Sequence, residues 1–204
     1  MGLDIEQLLR TPDVALFWGQ QTWVDEPGLV LAHHPTRVLR ADTPDTVAPL
    51  LGAIEAETRA GRWVVGFVSY EGGLAFDLPC HEPSDLAPLA WLAAYDARNV
   101  LRLDPDEVPD LPPPAGLADT QVQLNVGREA YGAALDRIHA YIAAGDTYQV
   151  NFTCHARFAA DWDPLAYFLT LARSHPVPYA AYLDLGDRQV LSLSPELFLQ
   201  RRGT

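Results

Sequence analysis

An α+β fold is predicted by three observations. Short apolar runs are closed by turn residues, three stretches place apolar residues at helical spacing, and the strand-like runs follow one another through tight turns. That pattern suits antiparallel strands with interspersed helices rather than a doubly wound parallel sheet. The composition agrees: 49% hydrophobic and 20% charged residues in a chain of 204 describe a packed protein, not a disordered tail.

Residues 14–24 are apolar and aromatic and read as a strand, followed by a turn at Glu26, Pro27 and Gly28 and a second strand at 29–32. Thr43 and Pro44 open a helix with a hydroxyl cap and a proline in the first turn. Val47, Leu50, Leu51 and Ile54 form its buried stripe, and Gly61 ends it. Residues 63–70 form the next strand, which stops at Gly72 and Gly73. Two strands around Asp96 and Ala97 are expected to pair with each other as an antiparallel hairpin. Residues 104–119 hold five prolines and five acids, which suits a solvated connector and not a core.

Beyond it, a helix from Arg128 to Gly145 repeats apolar residues at Tyr131, Leu135, Ile138 and Ile142 and is expected to bury them. Residues 147–158 alternate strictly: Tyr148, Val150, Phe152, Cys154, Ala156 and Phe158 on one face, Gln149, Asn151, Thr153, His155 and Arg157 on the other. This predicts a strand with Cys154 buried and a polar face that lines a cleft. A helix near 164–174, a strand at 179–185, a turn at Gly186 and Asp187, and a strand at 189–194 complete the order, with apolar and basic residues from Leu197 to Arg202 beyond. The resulting division is 1–103, a connector over 104–124, and 125–204.

Fourteen basic against 27 acidic residues leave a net charge of −13, and every basic residue is arginine. A lysine Schiff base, P-loop lysine or lysine general base is therefore excluded within this chain, and a pI near 4.6 argues against nucleic-acid binding. The N-terminal residues lack the apolar core of a signal peptide, and no apolar run is long enough to span a membrane. With two distant cysteines, Cys80 and Cys154, no disulfide framework is expected, and the setting is read as cytoplasmic with both thiols reduced.

No metal site is expected. Cys80–His81 and Cys154–His155 repeat a pair, but neighbours on a strand project to opposite faces, and His33–His34 reads as the polar end of a strand. No GxGxxG or GxSxG occurs, and a hydrolase built on Ser192 or Ser194 has no histidine and acid that sequence can place beside it. Two features stand out. Gln149 and Asn151 put neutral amides on the polar face of 147–158. Glu196 follows Ser194 and Pro195 directly after a strand, where Pro195 removes a ladder donor and fixes the backbone that presents the carboxyl. Partial burial there would favour the protonated form that a general acid needs.

Residues 142–153 (IAAGDTYQVNFT), 178–202 (PYAAYLDLGDRQVLSLSPELFLQRR) and 65–77 (VGFVSYEGGLAFD) resemble the chorismate-utilising family, and within it the aminodeoxychorismate synthase component I branch. The resemblance implies two stacked antiparallel sheets flanked by helices, present here in part, with chorismate bound between the sheets. It implies replacement of the chorismate 4-hydroxyl by an amino group on the folate and para-aminobenzoate route. Mg2+ would be the cofactor, and a glutamine amidotransferase subunit would supply the ammonia. Glu196 then matches the family's acid beside the departing hydroxyl. Gln149 stands where water-using relatives carry a base lysine; an amide accepts no proton near neutrality, so the ammonia-using branch is indicated. Pro178 and Tyr179 match a Pro-Tyr pair of the tryptophan effector pocket, although the LLES-type motif that accompanies it is absent.

The PIKGT-type motif and Mg2+-binding glutamates that follow SPE in the family are not among these 204 residues. The expectation is a first part of the enzyme that needs a complementary C-terminal half and does not turn over chorismate alone. Anthranilate synthase component I is the nearest alternative, and a non-catalytic tryptophan-binding module or a truncated product without an independent role are the others.

Overall fold

In the computed structural model, which describes residues 3–19, 28–116 and 120–201, strand β1 (Ala15–Trp18) is the middle of a five-stranded antiparallel sheet. Its neighbours are β2 (Leu29–Ala32) on one side and β9 (Tyr179–Asp184) on the other; β6 (Val100–Leu103) extends the sheet beyond β2, and β10 (Gln189–Ser194) beyond β9. A second sheet has three antiparallel strands in the order β3 (Arg37–Ala41), β5 (Ala90–Tyr95), β4 (Trp63–Val68).

Period-two alternation explains why both faces of the first sheet are apolar. Leu16, Leu29, Leu31 and Tyr182 turn toward helices α1 (Ile5–Leu9) and α4 (Pro164–Ser174), meeting Leu9, Leu165, Phe168 and Leu169. Ala15, Phe17, Val30, Ala181 and Leu183 turn the other way and pack on Trp91, Ala93 and Tyr95 of β5. The two sheets are therefore stacked, as the resemblance implied. Helix α2 (Pro44–Arg59) covers the outer face of the three-stranded sheet through Val47 and Leu50, against Leu39, Ala41 and Ala90. It starts as expected, with Thr43 as cap and Pro44 in the first turn.

Gly66 cannot be replaced in this packing. Its φ is +154°, and a Cβ there would lie 2.0 Å from the carbonyl oxygen of Trp91 on the paired strand.

Several expectations are corrected. β5 and β6 do not pair with each other: after Tyr95 a short 3-10 turn at Ala97–Asn99 carries the chain from the three-stranded sheet into the five-stranded one, where β6 pairs with β2. The hydrophobic pattern shows two strands but not which partners complete them. The proline-rich segment is not wholly solvated. Val108 is buried and Leu111 packs against the helix-facing core, while Arg173 of α4 donates to Asp110 and to the carbonyls of Val108 and Pro109. The chain accordingly divides into Met1–Pro113 with Pro164–Thr204 as one unit and Pro114–Asp163 as the other. Strand β9 pairs with β1, which joins residues 164–204 to the N-terminal part. Short α1, β3 and a 3-10 segment at Tyr70–Phe76 were not anticipated. The expected strand at 20–24, the turn residues Glu26 and Pro27, and the residues after Arg201 lie outside the described residues.

The Pro114–Asp163 unit holds helix α3 (Arg128–Ala144) and a short ladder of β7 (Gln123–Leu124) with β8 (Ala156–Arg157). α3 ends at Gly145 with φ +82°, as expected, but none of its residues is buried; Tyr131 and Ile142 are about two-fifths exposed. The strand expected at 147–158 has no regular secondary structure over most of its length, and only Ala156–Arg157 pair. Cys154 is exposed, not buried. Alternation supplies one face for a neighbour, and among the described residues no strand offers ladder bonds to 148–154. No helix among the described residues is long and apolar enough to cross a membrane.

Candidate functional site

The β9–β10 hairpin positions two of the three groups of candidate residues. Its turn is closed at Gly186 (φ +86°), whose N–H donates to Asp184 Oδ1 at 2.7 Å, while Leu185 N–H donates to the Arg188 carbonyl at 2.8 Å. The register runs without slippage from Gln189 opposite Asp184 to Ser194 opposite Tyr179. Tyr179 thus starts β9 at the end of the hairpin where β10 finishes. Pro178 precedes it, and both are half-buried.

Past Ser194 the ladder stops at Pro195, as expected. Ser194 Oγ–H donates to the Glu196 carbonyl at 3.0 Å, which fixes the backbone that presents the carboxyl. The Glu196 side chain is exposed and not partly buried. Burial therefore does not contribute to any acid role it has in this structure, and the constraint comes from the backbone alone.

Gln149 lies in the Pro114–Asp163 unit and is also exposed. Thr147 Oγ1–H donates to its carbonyl at 3.1 Å, and its Nε2 donates to Asn151 Oδ1 at 3.4 Å, so the two amides on the polar face expected from the sequence do face each other. The loop is anchored behind them by a reciprocal pair: Asn125 N–H donates to the His155 carbonyl at 2.9 Å and His155 N–H to Asn125 Oδ1 at 2.8 Å. Phe152 meets Tyr131 of α3 edge-on, with ring centroids 5.4 Å apart. Tyr148, by contrast, is 91% exposed.

A cavity of about 340 Å3 opens between the two sheets, lined by Phe17, Val30, Trp63, Val64, Val65, Gly66 and Leu92. No charged side chain lines it, which suits an uncharged ring or aliphatic group. It adjoins β1 and β4, and the sequence did not single it out. The apolar runs of both strands are legible, but the gap left between their inward faces depends on side-chain packing. Pro178 and Tyr179 are not among its lining residues.

The charged groups nearby are mostly paired. Arg40 is bonded to Asp42 at 2.9 Å and lies 3.6 Å from Asp187, which in turn pairs with Arg188 at 2.8 Å. The Arg188 bond and charge hold the Asp187 carboxyl below its ordinary range. Where α2 meets the three-stranded sheet, Glu57 is bonded to Arg62 at 2.6 Å and Arg37 at 3.1 Å. Among the described residues no group of three or more His, Cys, Asp and Glu could hold a metal ion. The Mg2+ implied by the resemblance has no fitting donor set among them.

The sequence pattern of the chorismate binding enzyme family matches residues 14–204. Similar curated proteins include an aminodeoxychorismate synthase of Streptomyces griseus, 39% identical over 113 residues, which cover 54% of this chain and 15% of that protein. The aminodeoxychorismate synthase component 1 of Klebsiella aerogenes is 42% identical over 82 residues, covering 39% of this chain and 18% of that protein. The anthranilate synthase component 1 of Thermus thermophilus is 30% identical over 169 residues, covering 69% and 37% respectively. The matched part thus spans at most 37% of the length of these relatives.

Proposed function

The chain belongs to the chorismate binding enzyme family, and from that premise we propose that it forms part of a chorismate-aminating enzyme of the aminodeoxychorismate synthase component I type. In this reading the C4–O bond of chorismate breaks, the hydroxyl leaves as water with a proton from Glu196, and ammonia supplies the new amino group. A glutamine amidotransferase partner delivers that ammonia, and Mg2+ is held by residues outside those described. The observation that carries the reading is Gln149. A neutral amide occupies the position at which the resemblance places the water-activating lysine, and an amide cannot deprotonate water. Two of the relatives above, at 39% and 42% identity, carry the aminodeoxychorismate synthase name, which supports the same branch.

Glu196 suits the acid role by position: it follows a proline that ends the ladder, and its backbone is tied to Ser194. A second reading, anthranilate synthesis, is favoured by the Thermus thermophilus relative, whose match covers the larger share of this chain.

The test is product identity. Chorismate, Mg2+ and ammonium are supplied to the purified protein, alone and mixed with the C-terminal half of an aminodeoxychorismate synthase component 1, and products are separated by mass. The chain alone is expected to be silent and the mixture to yield aminodeoxychorismate, with Glu196→Gln lowering the yield by about 100-fold or more. Anthranilate moves the chain to the second reading. Isochorismate, or no chorismate-derived product in the mixture, overturns amination. Calorimetry with tryptophan separately tests the effector role of Pro178 and Tyr179.

A further inference from the structure

Successive residues of a strand point to opposite sides, which would separate the side chains of His33 and His34. The structure ends β2 at Ala32 and places His34 at φ +49°, a left-handed conformation uncommon for a residue with a Cβ. The two rings consequently turn to one side. Their Nδ1 atoms lie 2.7 Å apart, with ring planes at 85° and centroids at 5.0 Å. Asn99 fixes the backbone of both residues: His33 N–H donates to its carbonyl at 3.0 Å, and its Nδ2 donates to the His34 carbonyl at 3.0 Å. His33 is buried and His34 exposed, so the pair is held firmly at its base and open to solvent at its tip.

We propose that His33 and His34 form a two-nitrogen chelate for one borderline divalent cation, Cu2+ foremost, bound through both Nδ1 atoms. The angle decides the metal. Bonds of roughly 2.0–2.1 Å to nitrogens 2.7 Å apart subtend about 80° at the ion. That is close to the right angle of tetragonal Cu2+ and Ni2+ and well short of the tetrahedral angle of Zn2+, and the general affinity order also favours Cu2+. Binding requires both Nδ1 lone pairs, so the proton now shared between the rings moves to an Nε2 and both imidazoles stay neutral. Water completes the coordination on the exposed side.

The experiment uses the tag-free protein, with Cu2+ titrated against a competing weak chelator and the bound ion followed by electron paramagnetic resonance. One Cu2+ per chain with nitrogen hyperfine structure is expected. His34→Ala should weaken retention by more than about tenfold. Asn99→Ala, which removes the backbone tie but no ligand, should weaken it less. His155→Ala, at an exposed histidine elsewhere, should leave it unchanged, and Ni2+ should be held in preference to Zn2+. Cu2+ binding that is absent, that survives His34→Ala at full strength, or that gives way to preferential Zn2+ binding would overturn the proposal. His33→Ala is avoided because that ring is part of the buried strand end.

Discussion

Helices α3 and α4 carry similar sequence signals and end in opposite environments. α4 buries Leu165, Ala166, Phe168, Leu169 and Ala172 against the five-stranded sheet, whereas α3, six residues longer, buries none. Both have apolar residues at spacings of three and four. The periodicity states which side of a helix is apolar; it does not state that a surface exists to receive it. The same lesson separates two strand-like segments: β9 is an apolar run buried on both faces between neighbours, while 148–154 alternates but forms no ladder and is exposed.

The largest test of this contrast is Phe168→Ala. The ring is fully buried and stacks on Tyr182 at 5.7 Å, so its loss should cost about 3–5 kcal/mol. Urea unfolding reads that value directly, and the same change at Ile142 of α3 should cost far less. Equal losses at the two sites would break the contrast.

A middle-sized effect concerns the charges where α2 meets the three-stranded sheet. Hydrogen bonds from Arg62 and then Arg37 hold the Glu57 carboxyl below its ordinary value of 4.5. The folded state therefore binds the proton less readily than the unfolded one. The contribution of this triad is complete above pH 4.5 and disappears as pH falls through the lower folded value. Glu57→Gln should lower the unfolding midpoint at pH 7 and flatten its decline on acidification; an unchanged acid slope would assign that decline to other carboxylates.

The smallest expected effect is at Tyr148. With 91% of the residue exposed, Tyr148→Ala should change stability by no more than about 0.5 kcal/mol. A loss above 1 kcal/mol would show that 148–154 is held by contacts beyond those described.

Legibility followed the same divide. Thr43 with Pro44, the stripe of α2 and the Gly186 turn were readable because capping, burial and turn geometry are decided locally. The separation of β5 from β6 was not, because a four-residue turn can return a strand to its own sheet or send it to the next with the same residues. At the candidate site, Pro195 correctly announced the end of the ladder, but the exposure of Glu196 depends on what surrounds it. The convergence of His33 and His34 was invisible for another reason: it hinges on one left-handed dihedral at a residue type that rarely adopts it.

The insertion of β9 between β1 and β10 has a consequence in time. Leu16 pairs with Tyr182, 166 positions later in the chain, so during synthesis β1 waits with one edge unpaired until residues 179–184 emerge. Until α4 arrives as well, Leu16, Leu29 and Leu31 have only the short α1 to cover them. Closure of so distant a pairing is entropically slow. The nascent N-terminal part is thus a natural client for factors that shield apolar surface, and the sheet locks in a late step rather than growing strand by strand.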